Sequence, residues 1–422
     1  MSRKIKNRFL PLLLSITLAV TSTLIYAPTV NAATTLEVPS PAYPTIQSAL
    51  NAAKDGDTIK IAAGTYNQNI NYDGYAQAVA AGSSQPKSGV TLQGSEGTVI
   101  NGAISLFYLK NFKISSLTVA GDLTLGDGRA YGYVTGSIVS DVQVGSILSI
   151  GGTGNMIVDS QIKMVILKGG NTKTEFPAYN TVVENNQLRG VTIQSGSYGN
   201  TIKANIISHG QTGIVEEPSK TYHPTGGNQI INNTIANNEV GVSLYSSTGD
   251  NGAASHTADQ LIQNIIRANT VGLQLSASNQ YIVGNTLYHN DFIENSVQVK
   301  ISNPVSNVWD DGAKKGNYWS DYTGKDGNGD RVGDTAYNID AQNQDNYPLM
   351  KPYSAPASLT SVAPSPSPSQ SPVQPSNPST ILAPSESPLP VAPEFAPFAV
   401  VVGLVAVSVL ALAFLKRRAA TL

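Results

Sequence analysis

Asn205-Ile206-Ile207 with Gly213-Ile214-Val215, Asn233-Thr234-Ile235 with Gly241-Val242-Ser243-Leu244, and Asn264-Ile265-Ile266 with Gly272-Leu273-Gln274-Leu275 are three copies of one pattern. In each, an Asn precedes a short apolar run, and a Gly 8 residues later opens a second one. Looser copies flank them, Asn186-Gln187-Leu188 with Gly190-Val191-Thr192-Ile193 and Asn285-Thr286-Leu287 with Val297-Gln298-Val299. The five Asn residues are 19, 28, 31 and 21 apart, so a fixed unit repeats with loops of varying length between copies. Repeats of this size stack, and strand-length apolar pieces with no helix between them stack as rungs of a β-solenoid. The expected fold is all-β, a right-handed parallel β-helix of about nine or more coils rising ~4.8 Å each. The repeat Asn residues are expected to pile into a ladder that hydrogen-bonds turn backbone.

A solenoid needs plugs, because its ends expose core and unpaired strand edges. Tyr43 to Ala53 carries apolar residues at helical spacing with Thr45 as N-cap, followed by the turn Asp55-Gly56-Asp57 and the strand Thr58-Ile59-Lys60-Ile61. This resembles the opening segment of pectin-lyase-like β-helices. At the other end stand Asn307-Val308-Trp309-Asp310-Asp311-Gly312, Gly316-Asn317-Tyr318-Trp319-Ser320-Asp321-Tyr322 and Asp345-Asn346-Tyr347-Pro348-Leu349. That text resembles the C-terminal end of NosD-like β-helix proteins, and Trp309, Trp319 and Tyr322 are expected to close the second opening. The resemblance implies the β-helix fold. It also implies either copper handling, as in the family's namesake, or the sugar-directed roles of related β-helix domains.

The chain has 422 residues and reads in segments. Residues 1–32, basic and then apolar from Phe9 to Ile25, form a secretory signal peptide ending at Val30-Asn31-Ala32. Residues 33–305 form the β-helix and 306–353 its cap. Residues 354–394 form a disordered Pro/Ser-rich linker that stands the body off a membrane. Residues 395–415 are long and apolar enough to span a bilayer as one transmembrane helix, and 416–422, with Lys416-Arg417-Arg418, would stay cytoplasmic. Pro393-Glu394-Phe395 before that span resembles the PEF-CTERM sorting signal of archaeal surface proteins, which implies a sortase-type processing enzyme. The body is therefore expected outside the cell as a monomer anchored by its C-terminus. A net charge of −2 with 13% charged residues excludes a nucleic-acid partner of the usual basic kind. The absence of cysteine excludes thiolate metal sites and a cysteine nucleophile.

The long steps come from insertions after the Gly-opened strands, starting one coil apart and forming one wall. That wall gathers Glu216, Glu217, Tyr222, His223, Tyr245, Asp250 and His256, with Tyr198 in the comparable loop of the preceding coil. Aromatic faces beside carboxylates suit a polysaccharide or surface glycan, so these are the candidate binding residues. No catalytic residue is assigned. Sugar-cleaving β-helices need carboxylates at a set separation, and the one Asp-Asp pair, Asp310-Asp311, lies in the cap. In the cap, Asp326, Asn328, Asp330 and Asp334 have the spacing of a calcium loop, a structural ion. Copper would have to use His223 and His256 with Met156, Met164 or Met350, a poor set. His209 and His289 each follow an anchor Asn by four residues and read as surface residues of the same turn, three coils apart and too distant to share an ion. The expected function is glycan binding or display without catalysis. A glycan lyase, hydrolase or epimerase is the first alternative, and copper handling the second.

Overall fold

The computed structural model describes residues 32–353 apart from 130, 171, 173, 218–224, 248–255, 279–283 and 303–305. The signal, linker, apolar C-terminal run and basic tail lie outside the described residues. Every described residue belongs to one compact unit. Among those residues no helix is long and apolar enough to cross a membrane.

Three parallel sheets build the body. The first stacks from Thr35–Val38 to Thr286–Tyr288, the second from Gly64–Tyr66 to Tyr318–Trp319, and the third from Ile70–Asp73 to Val297–Ser302. Each coil contributes one rung to each sheet in turn, which is a parallel β-helix. Like residues stack because the register is kept from coil to coil. In the first sheet one inward column runs Leu36, Ile59, Leu92, Ile114, Val139 and on to Leu287, all buried. Ile214 lies beside Val242 in the third sheet, so the two inserts do leave adjacent rungs. Their return ends also pair, Thr225 with His256.

The turns explain the Asn motif. Between the first and second sheets one residue takes a left-handed conformation (Asn185, Ala204 and Asn232 at φ 56°, 55° and 55°), and the next residue is an inward Asn. Asn205 donates its main-chain N–H to Asn233 Oδ1 at 2.9 Å and its amide to Val183 O at 2.9 Å; Asn233 does the same one rung on. These buried amides satisfy main-chain groups that a sharp turn would otherwise leave unpaired. The Gly that opens each third-sheet strand is there for space. A Cβ on Gly213, Gly241 or Gly272 would meet a carbonyl oxygen of the next rung at 2.6, 2.5 or 2.7 Å.

Two details of the sequence register need correction. There are three Asn ladders, not one, and Asn285 belongs to a different ladder from Asn264. The rung after Asn264 is Asn290, whose Oδ1 accepts Asn264 N–H at 3.0 Å, whereas Asn285 accepts from Asp259 N–H at 2.9 Å. His209 and His289 accordingly occupy different turns. His209 follows a second-sheet strand and is exposed, while His289 follows a first-sheet strand and is only 9% exposed. His289 stacks on Tyr353 at 4.0 Å and meets Asp311 at 3.1 Å.

Both ends are closed. The N-terminal helix Ile46–Ala52 is capped by Thr45 and Ser48 and buries Ile46, Ala49 and Leu50. Its last carbonyls are met by Lys87 Nζ, at 2.9 Å from Leu50 O and 2.7 Å from Ala53 O. A second helix, Gly74–Ala80, with Asp73 as N-cap, was not legible in the periodicity. At the C-terminal end Trp319 is sandwiched between Phe292 and Tyr337 at 4.4 and 4.2 Å. Trp309 and Trp319 send their indole N–H groups to Asn343 and Asp345. Tyr322, half-buried, packs against the same cluster as expected.

Candidate functional site

The insertion wall is only partly what its sequence promised. Tyr222, His223 and Asp250 lie outside the described residues, as does the side chain of His256. Glu217, just past its strand, and Tyr245, within its own, are half-buried, and Tyr198 is stacked flat on Tyr179 at 5.2 Å. Glu216 is the clear correction. It points into the solenoid, 1% exposed, in the inward column where its neighbours are Ile193 and Leu244.

Glu216 is not alone there. Asn228 Nδ2 donates to Glu216 Oε1 at 3.3 Å, and Asn228 N–H to Asp259 Oδ1 at 2.8 Å. Asp259 sits in a ladder position between Asn228 and Asn285 and is fully buried. The two carboxyls share Asn228 as a donor, and burial, followed by the charge of Asp259, raises the Glu216 carboxyl well above its ordinary range. Burial disfavours the charged form, so the Glu216 carboxyl keeps its proton to higher pH than an exposed one. This pair is inaccessible and is a feature of the core.

An exposed concavity lies elsewhere, on the outer face of the second sheet. Thr118, Gln143, Gln161, Gln187 and Ile206 form one outward column on consecutive rungs. They floor two adjoining hollows of about 450 and 490 Å³, which share Thr118, Gln143 and Gln161. One border carries Lys163, Arg189 and His209 on successive rungs, all exposed. The opposite border carries Ser116, Asp141 and Asp159 at left-handed turn positions, with Ser116 Oγ donating to Asp141 at 2.9 Å. Sequence reasoning missed this groove. Its signal was the Gln that directly follows the ladder position at Gln143, Gln161 and Gln187, obscured because Ser160 stands where the ladder Asn was expected.

In the cap, the calcium-spaced residues serve the loop's own backbone. Asp326 accepts the N–H groups of Gly329, Asp330 and Arg331, Asp330 that of Val332, and Asp334 that of Gly327; Asn328 bonds to Asp330. Among the described residues no three or more His, Cys, Asp or Glu side chains are grouped to hold a metal.

A family model described as periplasmic copper-binding protein (NosD) matches residues 50–324. The chain belongs to the NosD family. No curated protein matches it significantly. Similar solved structures include the A-module of a mannuronan C-5 epimerase from Azotobacter vinelandii, 16% identical over 61% of this chain and 90% of that one, with a TM-score of 0.30. A mannuronic-acid-specific polysaccharide family 6 lyase from human gut microbiota is 13% identical over 64% and 83% of the two chains, with a TM-score of 0.29. The tailspike of E. coli bacteriophage HK620, solved with a pentasaccharide, is 13% identical over 63% and 59%, again at 0.29. None of these three likenesses argues for an activity. The copper candidates of this NosD-family chain, His223 and the side chain of His256, lie outside the described residues. There is no cysteine, His209 is isolated and His289 is held by Asp311.

Proposed function

We propose that this NosD-family protein is a cell-surface glycan binder without catalytic activity, and that a polysaccharide lies along the groove of the second sheet. The observation that supports this most is the column of exposed amides, Gln143, Gln161 and Gln187, repeated at rung spacing along an open floor. Amides both donate and accept, as sugar hydroxyls require, and a repeating floor matches a repeating polymer. Lys163 and Arg189, which form no ion pair among the described residues, add long donors on one side, and Asp141 and Asp159 add acceptors on the other. The signal sequence and apolar C-terminal run place this body outside the cell on our reading, held by its anchor.

The test is retention of the purified protein on immobilised polysaccharides. Gln161→Ala with Arg189→Ala is expected to weaken retention about tenfold or more, equivalent to about 1.4 kcal/mol, with an unchanged melting temperature because both side chains are exposed. Equal retention of the variant on every polymer would refute the groove. Release of reducing ends, lost in Asp141→Asn, would instead make the protein an enzyme.

Calcium is a separate matter. Because the carboxylates of Asp326, Asp330 and Asp334 already receive backbone N–H groups, the cap is expected to hold without an ion. Its melting temperature should not change between excess chelator and millimolar calcium. A rise with calcium would restore the structural-ion reading of these residues.

A further inference from the structure

A second concavity, away from the groove, combines aromatic rings with charged groups. It is a cleft of about 320 Å³ between the third sheet and the loops that follow it, lined by Asn71, Asp73, Tyr75, Phe107, Arg129 and Tyr131, among others. Tyr131 is 61% exposed even though one face stacks on Tyr75 at 4.2 Å. Tyr75 in turn packs edge-on against buried Tyr108 at 5.6 Å, so the platform is fixed to the core. Arg129 is ion-paired with Asp127, which orients its guanidinium, and its side chain remains 76% exposed.

A rigid aromatic face with polar groups at its edge suits one class of small ligand, a ring that is apolar on its flat side and hydroxylated around its rim. We propose that this cleft binds a single hexopyranose ring, stacked on Tyr131 and hydrogen-bonded at its rim by Asn71, Asp73 and Arg129. The ring's C–H face displaces water from the tyrosine. The carboxylate accepts hydroxyl protons, while the guanidinium donates to ring or hydroxyl oxygens. The cleft is a site for one sugar unit, such as a chain end or branch, whereas the groove takes a polymer along its length.

Saturation-transfer NMR of the full-length protein with methyl glycosides of glucose, galactose and mannose tests this. Transfer to ring C–H protons at millimolar ligand is expected for at least one of them, unchanged in Tyr131→Phe and reduced about tenfold or more in Tyr131→Ala. The groove variant Gln161→Ala with Arg189→Ala should keep this signal, so failure of the groove and failure of the cleft are read separately. Absence of transfer from all three glycosides, or full transfer in a folded Tyr131→Ala protein, overturns the proposal.

Discussion

Raising the pH from about 5 to about 8 is expected to lower the melting temperature, and Glu216→Leu combined with Asp259→Asn is expected to flatten that loss. The native fold buries both carboxyls, at 1% and 0% exposure, and each accepts a hydrogen bond from Asn228. The unfolded chain gives up both protons near the ordinary carboxylate range of about 4, whereas the fold holds one to a much higher pH. A folded pKa raised above the unfolded value stabilises fully below the latter and loses its contribution as pH climbs through the former. The slope approaches about 1.4 kcal/mol per pH unit while the two states differ by one proton.

The substitutions copy neighbours. Leu occupies the column of Glu216 at Leu244 and Leu275, and Asn occupies the ladder of Asp259 at Asn228 and Asn285. Replacing a buried ionisable pair by residues that fit is typically neutral or stabilising by about 1–4 kcal/mol, so the double variant should melt higher at alkaline pH. Either substitution alone should do worse, since it strands the other carboxyl. Melting curves across pH settle this. If wild type and double variant share the same slope, the pair holds no proton.

Removing one ladder amide should be more damaging than removing any surface group. Asn233→Ala leaves the buried N–H of Asn205 without its partner, removes the amide bonds to the Asn205 side chain and to Ile202 O, and opens a cavity between rungs. At about 1–3 kcal/mol per orphaned group, with the cavity added, the loss is roughly 3–6 kcal/mol. Asn233→Asp should be equally severe near neutral pH and partly relieved by acid, because a protonated carboxyl can donate as the amide does. Denaturant unfolding and amide exchange around 201–236 would report this. A loss under about 1 kcal/mol for Asn233→Ala would mean that the ladder is ornamental rather than structural.

Much of this architecture was readable from residues. The three tight repeats gave the stacking of Ile214 on Val242, and Thr45 and the tryptophans marked the closures. What misled was chemical redundancy. Asn285 and Asn290 both open a rung and both make the same kind of bond, so spacing alone could not assign their ladders. Glu216 was misplaced because its carboxylate suggested solvent. Yet it is the fourth residue of a Gly-opened strand, where the next two copies have Leu244 and Leu275. The groove stayed hidden because its first three rungs, at Thr118, Gln143 and Gln161, lack the Asn marker and include a register shift between Val144 and Ile147. The cleft depends on loops of unequal length, whose meeting no periodicity encodes.

The C-terminal closure has a further effect. Asn343 and Asp345 occupy the next steps of two ladders, taking the N–H groups of Asn307 and Asn317 at 3.0 and 2.7 Å. The terminal donors of these two ladders are thus taken by the chain's own cap. An incoming strand therefore finds no free donor at these two positions, which disfavours tip-to-tip addition through them.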